Sequence, residues 1–220
     1  MRLFNRSIGN LFGAMAALGS IGMLVGCAGD LSEELNKPGN ETETGTPIIP
    51  GQSGRVKNTQ GTGGVVTSQI NAMDQTSWVY FQFAGAKEVT PQDPQNSADW
   101  DVALLRFQIK VNGGISGSGG VEVALASGTA FDALSQAPSG GYVTDQVDGA
   151  DEDADPDYAF VQGGTWYNYN VMTHILTPKD QVYVVRAATG KYYKMQITGY
   201  YDQAGSSGFP AFRWQSTPAP

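Results

Sequence analysis

From Ser77 onward, apolar and polar residues alternate in short runs, and no stretch repeats every three or four residues. SWVYFQF (77–83) is aromatic and β-branched, which suits a half-buried strand. DVALLRFQIKVN (101–112) reads as one long strand, with Phe107, Ile109 and Val111 on one side and Arg106, Gln108 and Lys110 on the other. A glycine-rich loop, GGISGSGG (113–120), separates it from VEVAL (121–125). TWYNYNV (165–171) has strand composition as well. The clearest unit is QVYVVRAATGKYYKMQITGYYD (181–202), a hairpin running from Gln181 to Ala187 and back from Lys191 to Tyr201. Its turn is Ala188 to Gly190, and the glycine there supplies a positive φ. GFPAFRW (208–214) is a last strand, in which Pro210 requires an edge position or a bulge. Many short strands broken by turns predict an all-β fold, a single antiparallel sandwich-like domain.

Two segments do not fit this pattern. The first 26 residues pair a basic start (Arg2, Arg6) with an apolar run from Ile8 to Val25, the composition of a secretory signal. The run ends in LVGC, which resembles a bacterial lipoprotein box, and this implies lipidation of Cys27. Cys27 is the only cysteine, so no disulfide framework is available and the folded part has no thiol chemistry. Residue 28 is alanine and not the aspartate of an inner-membrane retention signal, which favours the outer membrane. Anchoring through the lipid needs no spanning segment, and no later run is long and apolar enough to be one. Residues 27–57 are rich in Gly, Pro, Thr and Glu and read as a flexible tether. The domain then covers 58–216, followed by a short tail, 217–220. At roughly 160 residues it is large enough to bury about two-thirds of its unfolded surface.

Charge narrows the choice of partners. The whole chain carries a formal −8, and removal of Arg2 and Arg6 with the leader takes it to −10. Such a surface repels phosphate backbones, which argues against nucleic acid. The chain has one histidine and none of the G-x-S-x-G, H-E-x-x-H or P-loop patterns, so the reading is a binding protein and not an enzyme. Lys191 and Lys194 are read as surface residues of the hairpin. Asp99 and Asp101 are read as hydrogen-bonding a neighbouring turn.

Together the segments resemble the HmuY family of bacterial haem-binding lipoproteins. The resemblance lies in Asp99-Trp100-Asp101 with Arg106 beyond, and in Asn112, Gly113, Gly114, Ser116 and Gly117. It continues in Val184-Val185-Arg186, in Gly190, Lys191 and Lys194, and in Tyr200. It implies a mostly β fold and a protein that binds haem b at the outer membrane, facing the periplasm or the cell surface. It also implies transfer of haem to a TonB-dependent receptor, with the iron held by histidine or methionine from two separate loops. One family ligand follows the aromatic strand that is WYNYN (166–170) here. That places Met172 first, and His174 after it, as the candidate iron ligands, since thioether and imidazole are common axial donors. In an extended chain these two positions face the same side. The alternative for His174 is a partly buried, hydrogen-bonded histidine at a strand edge. The second family ligand belongs to residues 135–164, which contain neither histidine nor methionine. Met73 and Met195 are the other methionines of the mature chain, and Tyr142 and Tyr158 would ligate only when ionised.

The acidic run DGADEDADPD (148–157) places Asp151, Asp153 and Asp155 at alternate positions. Such carboxylates can hold Ca²⁺, or the run can be a solvated loop tip. A β-sandwich interaction or adhesion lipoprotein that has lost iron ligation, stabilised by Ca²⁺ at this loop, is the competing function.

Overall fold

The computed structural model describes residues 54–149, 156–161 and 163–220. The leader, Cys27 and Asp151, Asp153 and Asp155 lie outside the described residues. Val56 and Ile70, both buried, begin and end an antiparallel pair, β1 (Val56–Gln60) and β2 (Val66–Ile70). The first strand thus starts two residues inside the segment read as tether. SWVYFQF supplies β3 (Val79–Gln82), which pairs with β4 (Lys87–Val89) and with β5 (Val102–Leu105). β6 (Gln108–Val111) completes a four-stranded sheet of order β4-β3-β5-β6. Then come β7 (Glu122–Leu125) and β8 (Tyr142–Val143). β9 (Tyr167–Asn170) and β10 (Ile175–Pro178) form a separate two-stranded ribbon. β11 (Val182–Arg186), β12 (Tyr192–Tyr201) and β13 (Ser207–Thr217) finish a seven-stranded sheet of order β1-β2-β13-β12-β11-β7-β8. All these strand pairs are antiparallel.

The two larger sheets share one core, as expected for a sandwich-like fold. Phe81 and Phe83 of the smaller sheet meet Phe212, Trp214 and Tyr193 of the larger. Phe83 stacks on Tyr193 at 5.0 Å, and Phe81 meets Phe212 edge-on at 5.5 Å. Burying such rings dominates core energetics, and edge-to-face contacts contribute further. Met195, also in this layer, is fully buried. Asp101 ties the layers together: its carboxylate accepts the Phe83 N–H at 2.8 Å and the Ala188 N–H at 2.9 Å. That agrees with the turn-bracing role read from the sequence.

Three local readings change. The 101–112 segment is a hairpin and not one strand, with Arg106 and Phe107 forming its turn. Arg106 takes φ +51°, a conformation that normally favours glycine. Tertiary bonds hold it there: its N–H donates to the Ala72 carbonyl at 2.8 Å, and its guanidinium reaches the Met73 carbonyl and Ser207. Pro210 lies in a central strand, in the stretch where the β12–β13 register shifts, so of the two positions predicted for it the bulge applies. Lys194 is not a surface residue. It is buried on the outer side of the large sheet, where its ammonium donates to the Phe131 and Leu134 carbonyls at 2.9 and 3.0 Å and lies over the Phe131 ring. Lys194→Met keeps the apolar stem but strips both carbonyls of their donor. It is expected to cost about 1–2 kcal/mol, seen as a lower urea midpoint with an unchanged slope.

Candidate functional site

Aromatic residues that are far apart in sequence come together around the Arg106–Phe107 turn. The Arg106–Phe107 turn leaves Phe107 partly exposed, and its carbonyl accepts the Trp166 indole N–H at 2.9 Å. Trp166 meets Tyr167 at 4.9 Å, and Phe107 meets Tyr167 at 5.9 Å, both edge-on. Opposite them stands the segment from Pro156 to Val161, with a single 3-10 turn at Ala159–Val161. Between lies an open cleft of about 380 Å³, lined by Phe107, Tyr158, Phe160, Val161, Trp166 and Tyr167 among others. That volume lies within the range of small-molecule sites, and its lining mixes aromatic rings with the polar Gln108, Asp157 and Thr165.

A buried carboxylate builds the far wall. Asp145 accepts the Val111 N–H at 2.9 Å and the Ala159 N–H at 2.8 Å, so one side chain joins β6 to the wall turn. Its own carbonyl accepts the Ile115 N–H, and Gln146 N–H donates to the Asp157 carbonyl. Burial pushes the Asp145 carboxyl up to about 6, against the lowering effect of these N–H donors, the Ser116 hydroxyl and the Lys110 ammonium.

The β9–β10 ribbon rises from the other wall. Its inward face carries Tyr167, Tyr169, Leu176 and Pro178, because residues paired across an antiparallel ladder share a face. Tyr167 and Leu176 pack against the core, and the Leu176 N–H donates to the Tyr201 hydroxyl at 2.9 Å. Tyr169 extends the same face beyond the body. Residues 171–174 form the ribbon's turn, so Met172 and His174 are not in extended chain and do not share a side by strand alternation. Asn170 organises this turn: its side-chain oxygen accepts the Met172 and Thr173 N–H groups, and its carbonyl accepts that of His174. His174 adopts φ +57°. Met172 is 86% exposed.

His174 is exposed and not packed in a strand edge, but it is hydrogen-bonded. Its Nδ1 lies 2.5 Å from the Tyr169 hydroxyl. In one tautomer the phenol donates to Nδ1. In the other, Nδ1–H donates to the phenol oxygen and Nε2 keeps its lone pair for a metal, the arrangement by which ligating histidines are oriented. The i, i+5 spacing of Tyr169 and His174 carries no recognisable sequence signal, so the partner was not legible beforehand.

The remaining candidates separate. Tyr158 lines the cleft, with its ring edge-on to Trp78 at 5.9 Å. Tyr142 lies on β8 beside Tyr192, away from the cleft, and burial pushes its hydroxyl up to about 12, which disfavours a phenolate ligand. The Met73 carbonyl accepts from Arg106, and the Met73 side chain lies against Gly208. Among the described residues no three His, Cys, Asp or Glu side chains converge as a metal site. The donors at the ribbon tip are an imidazole and a thioether on one turn. Either could serve as a donor to a haem iron, and the base of the ribbon, at Tyr167, borders the aromatic cleft.

Comparison with known proteins agrees with this architecture. The family model described as HmuY protein matches residues 74–214. An apo HmuY analogue from Tannerella forsythia superposes with a TM-score of 0.53 at 18% identity, covering 69% of this chain and 95% of that one. A candidate HmuY-like heme-binding protein from Bacteroides vulgatus gives 0.52 at 22% identity, covering 72% and 94%. A candidate lipoprotein from Bacteroides fragilis gives 0.50 at 20% identity, covering 72% and 92%. No curated protein sequence matches the chain significantly.

Proposed function

The chain belongs to the HmuY family, and from that premise we propose that it is a haem-binding lipoprotein of the outer membrane. It is anchored through Cys27 and passes haem to a TonB-dependent receptor. The observation that carries the binding reading is the Tyr169–His174 pair at the tip of a ribbon whose inward face runs into the aromatic cleft. His174 Nε2 is the first iron donor in this reading, because its ring is already oriented. Met172, in the same turn, is the second candidate for the same axial position. Tyr167, Phe107 and Trp166 offer the macrocycle an apolar wall.

The test is a titration of the purified protein with ferric haem, read as the Soret band and its change on reduction. Saturable binding with a shifted Soret band supports the reading. The absence of histidine and methionine from residues 135–164 favours a second reading, an interaction lipoprotein on the same scaffold with Asp151, Asp153 and Asp155 holding Ca²⁺. Non-saturating haem binding, together with a melting temperature that rises with Ca²⁺, would decide for it.

A further inference from the structure

The ribbon tip offers iron donors from one side only. Met172 and His174 share a single short turn, and a flat porphyrin needs its two axial donors on opposite faces. The rest of the chain does not supply the second one readily. Residues 135–164 hold neither histidine nor methionine, Met195 is fully buried in the core, and Met73, though 46% exposed, lies outside the ribbon, in the segment whose carbonyl accepts from Arg106. An iron ligated by this tip alone would keep an open sixth position.

The same tip is poorly suited to staying in water. Val171 is 69% exposed and Met172 86%, beside half-exposed Tyr169 and Ile175. Nor does it repel its own kind. No charged side chain occurs from Gly163 to Pro178, in a chain of formal charge −8. Two copies of a net-acidic chain repel one another on average, whereas this segment adds no carboxylate of its own and exposes Val171, Met172 and Ile175 among neutral Asn and Thr side chains.

Resting on the haem-binding reading above, we propose that two copies of this chain close tip to tip on one haem, each contributing its His174 as an axial ligand. The contact is isologous, with the same patch used on both copies, so the pair closes and does not polymerise. Val171 and Met172 of both copies lose their water contact around the ligand, which adds apolar burial to the two iron–nitrogen bonds. Tyr169 acts as a positioning residue on each side. Because two chains gather on each haem, occupancy depends on protein concentration, and separation of the copies exposes the iron.

Sedimentation velocity of the full mature protein, run alongside the haem titration, tests this. The expected result is saturation at about 0.5 haem per chain with a doubling of mass, as a two-fold assembly requires. The spectrum should be that of a six-coordinate low-spin iron, and dilution should restore the monomer. Val171→Asp adds like charges at the tip and removes no donor. It is expected to bind haem as a monomer with a high-spin spectrum and an affinity lower by at least about tenfold. A low-spin monomer saturating at one haem per chain overturns the sandwich and leaves haem binding intact. A haem-linked dimer that survives Val171→Asp unchanged also overturns it. No saturable binding overturns both the sandwich and the function on which it rests.

Discussion

Asp145→Ala is expected to loosen one wall of the cleft at a cost of about 3 kcal/mol, since two buried N–H groups, those of Val111 and Ala159, lose their acceptor. The loss should appear twice: in the urea midpoint, and in a haem affinity that falls further than the stability does, because Tyr158, Phe160 and Val161 stand on the segment that Asp145 holds. Asp145→Asn should be milder, since the amide oxygen keeps one of the two acceptor roles. The wild type carries a pH signature from the same group. The folded carboxyl titrates near 6 while the unfolded one titrates near its ordinary 3.8. Between those values the folded state holds a proton that the unfolded state has released, so stability is full below pH 4 and declines as pH rises through 6. The interval corresponds to about 3 kcal/mol at most. Urea titrations at pH 4.5 and pH 7 should show the decline in the wild type and a flatter profile in Asp145→Asn. A parallel decline in both proteins would assign the effect elsewhere, with Asp101 the first alternative, because burial raises its carboxyl too.

His174→Ala is expected to have the largest effect on binding. If its Nε2 holds the iron, haem affinity should fall by about a hundredfold or more, and the low-spin Soret band should be lost, while the melting temperature stays within about 1 °C because the residue is exposed. Tyr169→Phe separates ligation from orientation. It keeps the ring but removes the hydroxyl at Nδ1, and should weaken binding about ten- to a hundredfold with an altered spectrum. Met172→Ala should change affinity less. If Met172→Ala has the larger effect and His174→Ala has none, the thioether is the ligand and the imidazole a bystander.

The parts of the fold legible in the sequence are those whose signals are local. Gly190 at φ +76° marks the β11–β12 turn, and SWVYFQF declares β3 by composition. The Arg106–Phe107 turn was hidden because no glycine, asparagine or aspartate marks it. Its unusual backbone is set by the carbonyls of Ala72 and Met73, more than thirty residues earlier. β1 and β2 were missed because their sequences, VKNTQ and VTSQI, are largely polar. Buried Ser68 is tolerated through its bonds to Asn58 and the Trp214 indole. Lys194 was misread for a similar reason, since the carbonyls that make its burial tolerable lie sixty residues away. At the site, Met172 and His174 were singled out by their place after WYNYN, but the turn that holds them was not foreseen, because the bonds that Asn170 makes to it are not declared by a glycine or proline. The cleft was not legible, because Phe107, the 156–161 segment and Trp166 meet only in three dimensions.

The ribbon that carries Met172 and His174 belongs to neither large sheet. It shares no backbone ladder with them and is tied down by the Tyr201 hydroxyl and by the packing of Tyr167 and Leu176. A two-stranded ribbon is marginal alone, and such units open with far less free energy than global unfolding requires. On the haem-binding reading, residence time of a ligand held at its tip would be governed by this local opening and not by the melting of the core. A protein built this way would combine a durable body with rapid release of a ligand bound at the ribbon, and the two properties could be altered by separate mutations.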